Sequence, residues 1–180
     1  MSDRTETATL GGGCFWCLDA AYRQIEGVRG VVSGYAGGRR PNPTYEQVCT
    51  GVTGHAEVVQ VTYDPELLSY ADVLDIFWAV HDPTTLNRQG GDVGTQYRSA
   101  IFVHDDTQQA TATASRDHAR EYWPDPVVTE IVPLETFYPA EDYHQDYYAQ
   151  HPEQGYCQAV INPKLRKVRA KFASRLRAGV

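Results

Sequence analysis

Between residues 57 and 63 polar and apolar side chains alternate, with Val59, Val61 and Tyr63 on one side, which predicts a strand with one buried face. Shorter runs at 7–10, 31–35, 99–104 and 127–132 read as further strands. The period lengthens to that of a helix over 14–25, where Gly27 supplies the stop. It does so again after Ser69, with Val73, Leu74, Phe77 and Val80 on one face and Asp72 three positions on, as in a capping box. Asp105 or Asp106 caps a third helix, ending near residue 122. Asn162 and Pro163 open a last helix, striped by Leu165, Val168, Phe172 and Leu176. A loop rich in Gly, Pro and Asn covers 37–44, and a Gly-rich loop covers 88–94. Residues 133–162 read as irregular, with one short helix near 140–150.

Through residue 104 the order is β-α-β-β-α-β, the split pattern of a ferredoxin-like two-layer sandwich. The fold class expected is therefore α+β, with one added helix and strand and a long loop-rich C-terminal extension. A structureless stretch of that length is uncommon unless it serves a function, and its tyrosines (Tyr138, Tyr143, Tyr147, Tyr148, Tyr156) favour a packed one. The 180 residues suit a single catalytic domain, 1–180, in which about 133–180 wraps the body and ends in a basic helix. A chain this long buries roughly 70% of its unfolded surface, so folding requires neither a metal nor a disulfide.

Charge sharpens the picture. The net charge is −7, yet from Pro163 onward there are seven Lys/Arg and no Asp/Glu, leaving nine basic against 23 acidic residues in the body. An acidic body argues against a nucleic-acid partner, and the apolar stripe makes the basic tail a helix that docks on that body. The start, MSDRTETATL, lacks the apolar segment of a signal peptide, and no apolar run approaches the ~18 residues of a membrane span. The expectation is a cytoplasmic, monomeric protein whose thiols stay reduced.

Four cysteines then matter: Cys14, Cys17, Cys49 and Cys157. Cys14 stands where a strand, the turn Gly11-Gly12-Gly13 and a helix meet, and Cys17 lies one turn on. A helix N-terminus favours a thiolate through its free N–H groups and partial positive charge. Cys-x-x-Cys alone also suits zinc or a general disulfide oxidoreductase. Zinc needs a second ligand pair at matching spacing, which this sequence lacks, so no metal is expected. No dinucleotide or phosphate-loop fingerprint calls for another cofactor. Phe15 and Trp16, between the cysteines, suggest a wall that receives an apolar group.

Gly-Cys-Phe-Trp after a strand, with SGYAGG (33–38), PNPTYEQVCTGVTGHAEVVQVTYDP (41–65), HDPTTLNRQGGDVGTQYRSAIF (81–102), AEDYHQDY (140–147) and GYC (155–157), resembles the peptide methionine sulfoxide reductase A family along nearly the whole chain. The resemblance implies Cys14 as nucleophile, Phe15 and Trp16 as the substrate methyl pocket, and Glu57 as acid. It implies Tyr45, Asp92 and Tyr97 as further polar groups around the sulfoxide oxygen, and Cys157 as the recycling cysteine. Cys17 departs from the pattern, since Gly often follows Phe-Trp, so both Cys157 and Cys17 stand as candidate resolving thiols. The S epimer of methionine sulfoxide as substrate, free or in proteins, and thioredoxin as reductant are implied by the same resemblance.

A sulfoxide needs an acid at its oxygen as the thiolate arrives, and a Glu serves near neutral pH only if burial raises its pKa. Attack would leave a sulfenic acid on Cys14, condensed by a second thiol to a disulfide. The other classes in play are a general thiol–disulfide oxidoreductase using Cys14 and Cys17, and a redox sensor that does not turn over. Cys49 reads as a small buried hydrophobe. His55, His81 and His144 read as hydrogen-bonding frames for loops, as do Arg98 and Asn87.

Overall fold

The computed structural model describes residues 4–180. A mixed α+β fold is built around a six-stranded sheet of β1 (Glu6–Gly11), β2 (Val28–Ala36), β3 (Ala56–Tyr63), β6 (Ala100–Val103), β7 (Glu130–Pro133) and β8 (Phe137–Pro139). The order across the sheet is β7-β6-β1-β3-β2-β8. Every neighbouring pair is antiparallel except β6 with β7. The helices are α1 (Phe15–Arg23), α2 (Tyr45–Cys49), α3 (Tyr70–Val80), α4 (Asp106–Ala119), α5 (Tyr147–Gln150) and α6 (Asn162–Lys171). A small separate hairpin joins β4 (Arg88–Gln89) to β5 (Asp92–Val93).

The alternation in β3 divides the interior. Val59, Val61 and Tyr63 enter the main core beneath α1, α3 and α6, while Ala56 and Val58 join Ala36, Ala100 and Phe102 in a smaller cluster on the opposite face. Glu57 shares its face with Val59 and Val61, so the period-2 rule sends this carboxyl under the helices. Ser69 and Asp72 cap the start of α3 reciprocally, and Asp105 caps α4.

Several expected boundaries shift. The first helix runs only over Phe15–Arg23, with Cys14 in extended conformation as its N-cap and Ile25 buried just beyond it. The expected loop at 88–94 contains the β4–β5 hairpin, and the third helix stops at Ala119. The stretch at 133–162 is more regular than its composition suggests. β8 extends the sheet along β2, and residues Cys157–Ile161 form a single π-type turn leading straight into α6. Leu165 and Val168 are buried, but α6 ends at Lys171, so Phe172 closes it and Leu176 returns on extended chain to bridge Ile25. The apolar stripe outruns its helix, and Leu176 packs against the core, partly buried, from extended chain. Among the described residues no helix is long and apolar enough to cross a membrane.

Candidate active site

Gly13 sets the entry of α1. Its φ of 89° lies in the left-handed region, and a Cβ there would stand 2.6 Å from the Gln89 side chain. This turn delivers Cys14 to the N-cap, where the Cys17 N–H bonds the Cys14 carbonyl at 3.1 Å. An N-cap side chain naturally reaches the third helical residue, which here is Cys17. The two thiols lie close enough that each alters the other's proton affinity.

The charge distribution differs from the one the helix N-terminus suggests. Burial, the hydrogen bond with Cys17 and the proximity of Glu57 hold the Cys14 thiol well above its ordinary value. Cys17, which accepts from Cys14, is drawn down to about 7, with further help from Lys164 and Tyr156. Of the two thiols, Cys17 is therefore the more readily ionised near neutral pH.

Glu57 is 1% exposed. One oxygen accepts from the Phe15 N–H at 3.2 Å, and the other faces the Gln96 side-chain amide at 3.5 Å. Desolvation outweighs both donors and pushes the carboxyl up to about 8, so it keeps its proton at neutral pH. An acid and a thiol thus flank a single peptide unit, the one joining Cys14 to Phe15.

Aromatic rings build the wall. Phe15 lies 6.4 Å from Tyr45 and 5.0 Å from His144, measured between ring centres. Trp16 stacks on Tyr147 at 3.7 Å with 5° between planes, meets Tyr156 edge-on, and donates its indole N–H to His144 Nδ1 at 3.1 Å. Burial, then the charge of Glu57, raises both Tyr45 and Tyr97, which therefore stay protonated as hydroxyl donors. Glu141 pins this side of the site by accepting from Tyr35 Oη at 2.8 Å and from the Tyr45 N–H at 2.9 Å.

The remaining residues fall as follows. Asp92 accepts from Tyr156 Oη at 2.7 Å and so orients that tyrosine, which stands 4.0 Å from the Cys17 sulfur. Cys157, next to Tyr156, is buried and its thiol is raised by burial and by the charge of Cys17. Cys49 does not meet the expectation of a buried hydrophobe: it ends α2, is exposed, and lies 3.4 Å from the Gln96 amide nitrogen. A five-residue helix ending in a loop offers no cover for its last side chain. His81 bonds the Phe77 carbonyl and Ser99, and His55 accepts from the Gly38 N–H, both away from the thiols. Arg98 pairs with Glu130 at 2.8 Å, and the Asn87 carbonyl accepts from the Gly94 N–H. His144 frames a ring of the pocket itself, and neither its role there nor that of Gln96, Glu141 and Tyr147 was marked by sequence reasoning. The signal present was their position, within or beside the matched segments. Among the described residues no three His, Cys, Asp or Glu side chains gather as metal ligands.

Two neighbouring thiols, a protonated buried carboxyl and an aromatic wall together define a thiol-dependent redox site. The family model for peptide methionine sulfoxide reductase matches residues 6–176, and the chain belongs to that family. It is 60% identical to peptide methionine sulfoxide reductase MsrA of Polynucleobacter asymbioticus over 171 residues, 94% of this chain and 90% of that one. Among solved structures, reduced Mxr1 from Saccharomyces cerevisiae superposes with a TM-score of 0.82 at 36% identity, covering 87% of this chain and 91% of that one. Mxr1 in complex with Trx2 gives a TM-score of 0.59 at 26% identity, over 82% and 87% of the two chains.

Proposed function

We propose that this chain reduces the S epimer of methionine sulfoxide, free or within proteins, to methionine, with Cys14 as nucleophile and Glu57 as acid. One observation carries the reading: the carboxyl that keeps its proton is tied to the N–H of the residue following Cys14. Phe15 and Trp16 receive the substrate methyl group, and Tyr45 and Tyr97 donate to the sulfoxide oxygen. Asp92 acts through Tyr156.

In this reading Cys17, the neighbouring thiol one turn along α1 and the more readily ionised of the two, takes the proton of Cys14. The Cys14 thiolate attacks the sulfoxide sulfur as Glu57 protonates the oxygen, general acid catalysis worth on the order of 10²–10⁴-fold. Attack forms a bond between Cys14 Sγ and the substrate sulfur as the sulfur–oxygen bond breaks. The oxygen, delivered as water to Cys14 Sγ, then breaks that sulfur–sulfur bond, its electron pair returning to the substrate sulfur, so that methionine leaves and Cys14 is left as a sulfenic acid. A second thiol then displaces water to form a disulfide. The resemblance favours Cys157 for this step, whereas the place of Cys17 one turn along α1 from Cys14 favours Cys17 as the first to react. Cys157, close enough to feel the Cys17 charge, takes over the disulfide and frees Cys14. Thioredoxin opens the final disulfide, a reading supported by the likeness to Mxr1, which is solved with Trx2.

The four antiparallel strands in the order β6-β1-β3-β2, with α1 and α3, support reading the body as a ferredoxin-like sandwich within one catalytic domain, 1–180, wrapped by 133–180. The low pKa of Cys17 favours one other class, a general disulfide oxidoreductase. Consumption of a methyl sulfoxide with dithiothreitol, by wild type and Cys14→Ser, separates the two. Sulfoxide turnover lost in the variant supports the reductase; insulin reduction without sulfoxide turnover removes it.

A further inference from the structure

The acid is held at two points, and only one of them belongs to the helix. Phe15 supplies a backbone N–H that α1 fixes in place, at 3.2 Å from Glu57 Oε1. The other oxygen, Oε2, faces the side-chain amide of Gln96, a residue 4% exposed on the short turn Thr95–Tyr97 between the candidate residues Asp92 and Tyr97.

We propose that Gln96 is a positioning residue for the reaction, its amide waiting for the carboxylate that forms on Glu57 when the acid gives up its proton. The inference rests on the reading of Glu57 as the acid. Its geometric basis is the asymmetry of the two contacts. At 3.5 Å the Gln96 N–H is long for a hydrogen bond to a neutral oxygen, while charge-assisted N–H···O bonds shorten to about 2.7–2.9 Å. The contact is therefore weak before proton transfer and strong after it, and an interaction that strengthens along the reaction raises kcat. The oxygen with the weaker donor is also the one with room to carry the acidic proton. The second N–H of the amide lies 3.4 Å from the Cys49 sulfur, an acceptor that keeps nitrogen, not oxygen, turned inward toward Glu57. The exposed cysteine thereby orients the amide without taking part in the redox cycle.

The test is single-turnover formation of methionine without reductant, which isolates the first chemical step, measured against pH for Gln96→Met. Methionine keeps the length and removes both N–H groups. The rate constant will fall about 10–100-fold, the range expected for one donor to a charged acceptor. The alkaline limb, set by loss of the Glu57 proton, will move to higher pH, because the donor that favours ionisation is gone. In a Glu57→Gln background the same substitution will cause no further loss. Iodoacetamide labelling of Cys14 will be unchanged. An alkaline limb that stays in place, with equal losses in both backgrounds, would show that Gln96 only fills space and would overturn the proposal. If Gln96→Met does not fold, Gln96→Asn, which withdraws the amide by one methylene, must shift the same limb. Should Glu57→Gln alone turn over like wild type, the reading of Glu57 fails and this inference with it. A fall in Glu57→Gln with no limb shift in Gln96→Met removes the inference alone.

Discussion

Replacing Glu57 by Gln should make the protein more stable while stopping its chemistry. The carboxyl is 1% exposed, and its pKa rises from the ordinary 4.5 to about 8. In the unfolded chain at pH 7 this group is ionised, so folding must take up a proton. With 1.36 kcal/mol per pH unit, restoring that proton at pH 7 to a group that ionises at 4.5 when unfolded costs about 3 kcal/mol. Because the pKa is raised on folding, the favourable contribution is full below pH 4.5 and is lost as pH climbs through 8. The neutral amide of the variant would need no proton. Its carbonyl still accepts from Phe15, but its NH₂ group meets the Gln96 amide donor to donor, a mismatch worth about 1 kcal/mol. The net gain at neutral pH is about 2 kcal/mol. Urea unfolding across the range from acid to mildly alkaline pH will show the variant's advantage over wild type growing as pH rises from 4.5 toward 8, on top of the pH dependence that groups such as Asp19 and His81 give both proteins. Single-turnover reduction will fall on the order of 10²–10⁴-fold. Parallel stability curves for the two proteins would mean that Glu57 folds already ionised, and the acid role would go with that result.

Other consequences are equally direct. Cys14→Ala removes the hydrogen bond that lowers Cys17, so the ultraviolet thiolate absorbance of Cys17 will titrate above its present value of about 7, back toward the ordinary 9. Peptide mapping after one turnover in Cys157→Ser will find a Cys14–Cys17 disulfide; a persistent sulfenic acid instead would exclude Cys17 as a resolving thiol. Gly13→Ala forces a side chain into left-handed backbone and against Gln89, and will lower the urea midpoint by the equivalent of about 1–3 kcal/mol. Tyr147→Ala strips the stacked face of Trp16 and will raise KM for the sulfoxide several-fold while Cys14 alkylation stays unchanged.

Much of this was legible in the chain, for reasons that differ by residue. The face of Glu57 followed from simple alternation with Val59 and Val61, and the cap of α3 from Ser69 and Asp72. What composition concealed was pairing at long range. β8 exists because Phe137, Tyr138 and Pro139 find the edge of β2, which lies far earlier in the chain, and no local period announces such a partner. The pocket rings His144 and Tyr147 come from the same wrapping stretch, so they too depended on where that strand docks. Cys49 failed in the opposite sense: cysteine is usually buried, and only the shortness of α2 leaves it at the surface.

The thiol itself shows how one physical feature can be claimed twice. A helix N-terminus favours negative charge, and Cys14 stands at one. Yet the first free N–H of α1, that of Phe15, is already turned to Glu57. The helix end therefore acts on the acid, where it opposes burial and loses, leaving a carboxyl poised near neutrality. Cys14 keeps only the Trp16 N–H of that helix end, and this is outweighed by burial, by Cys17 and by Glu57, which all raise its thiol. Had glycine stood at residue 17, the upward influence of Cys17 on Cys14 would be gone. The carboxyl and the thiol pair are thus coupled, since Glu57 raises Cys14 and Cys17 raises Glu57. Because ionising either group is opposed by burial and by the charge of the other, Cys14 and Glu57 both hold their protons at neutral pH until something enters the pocket between the aromatic rings.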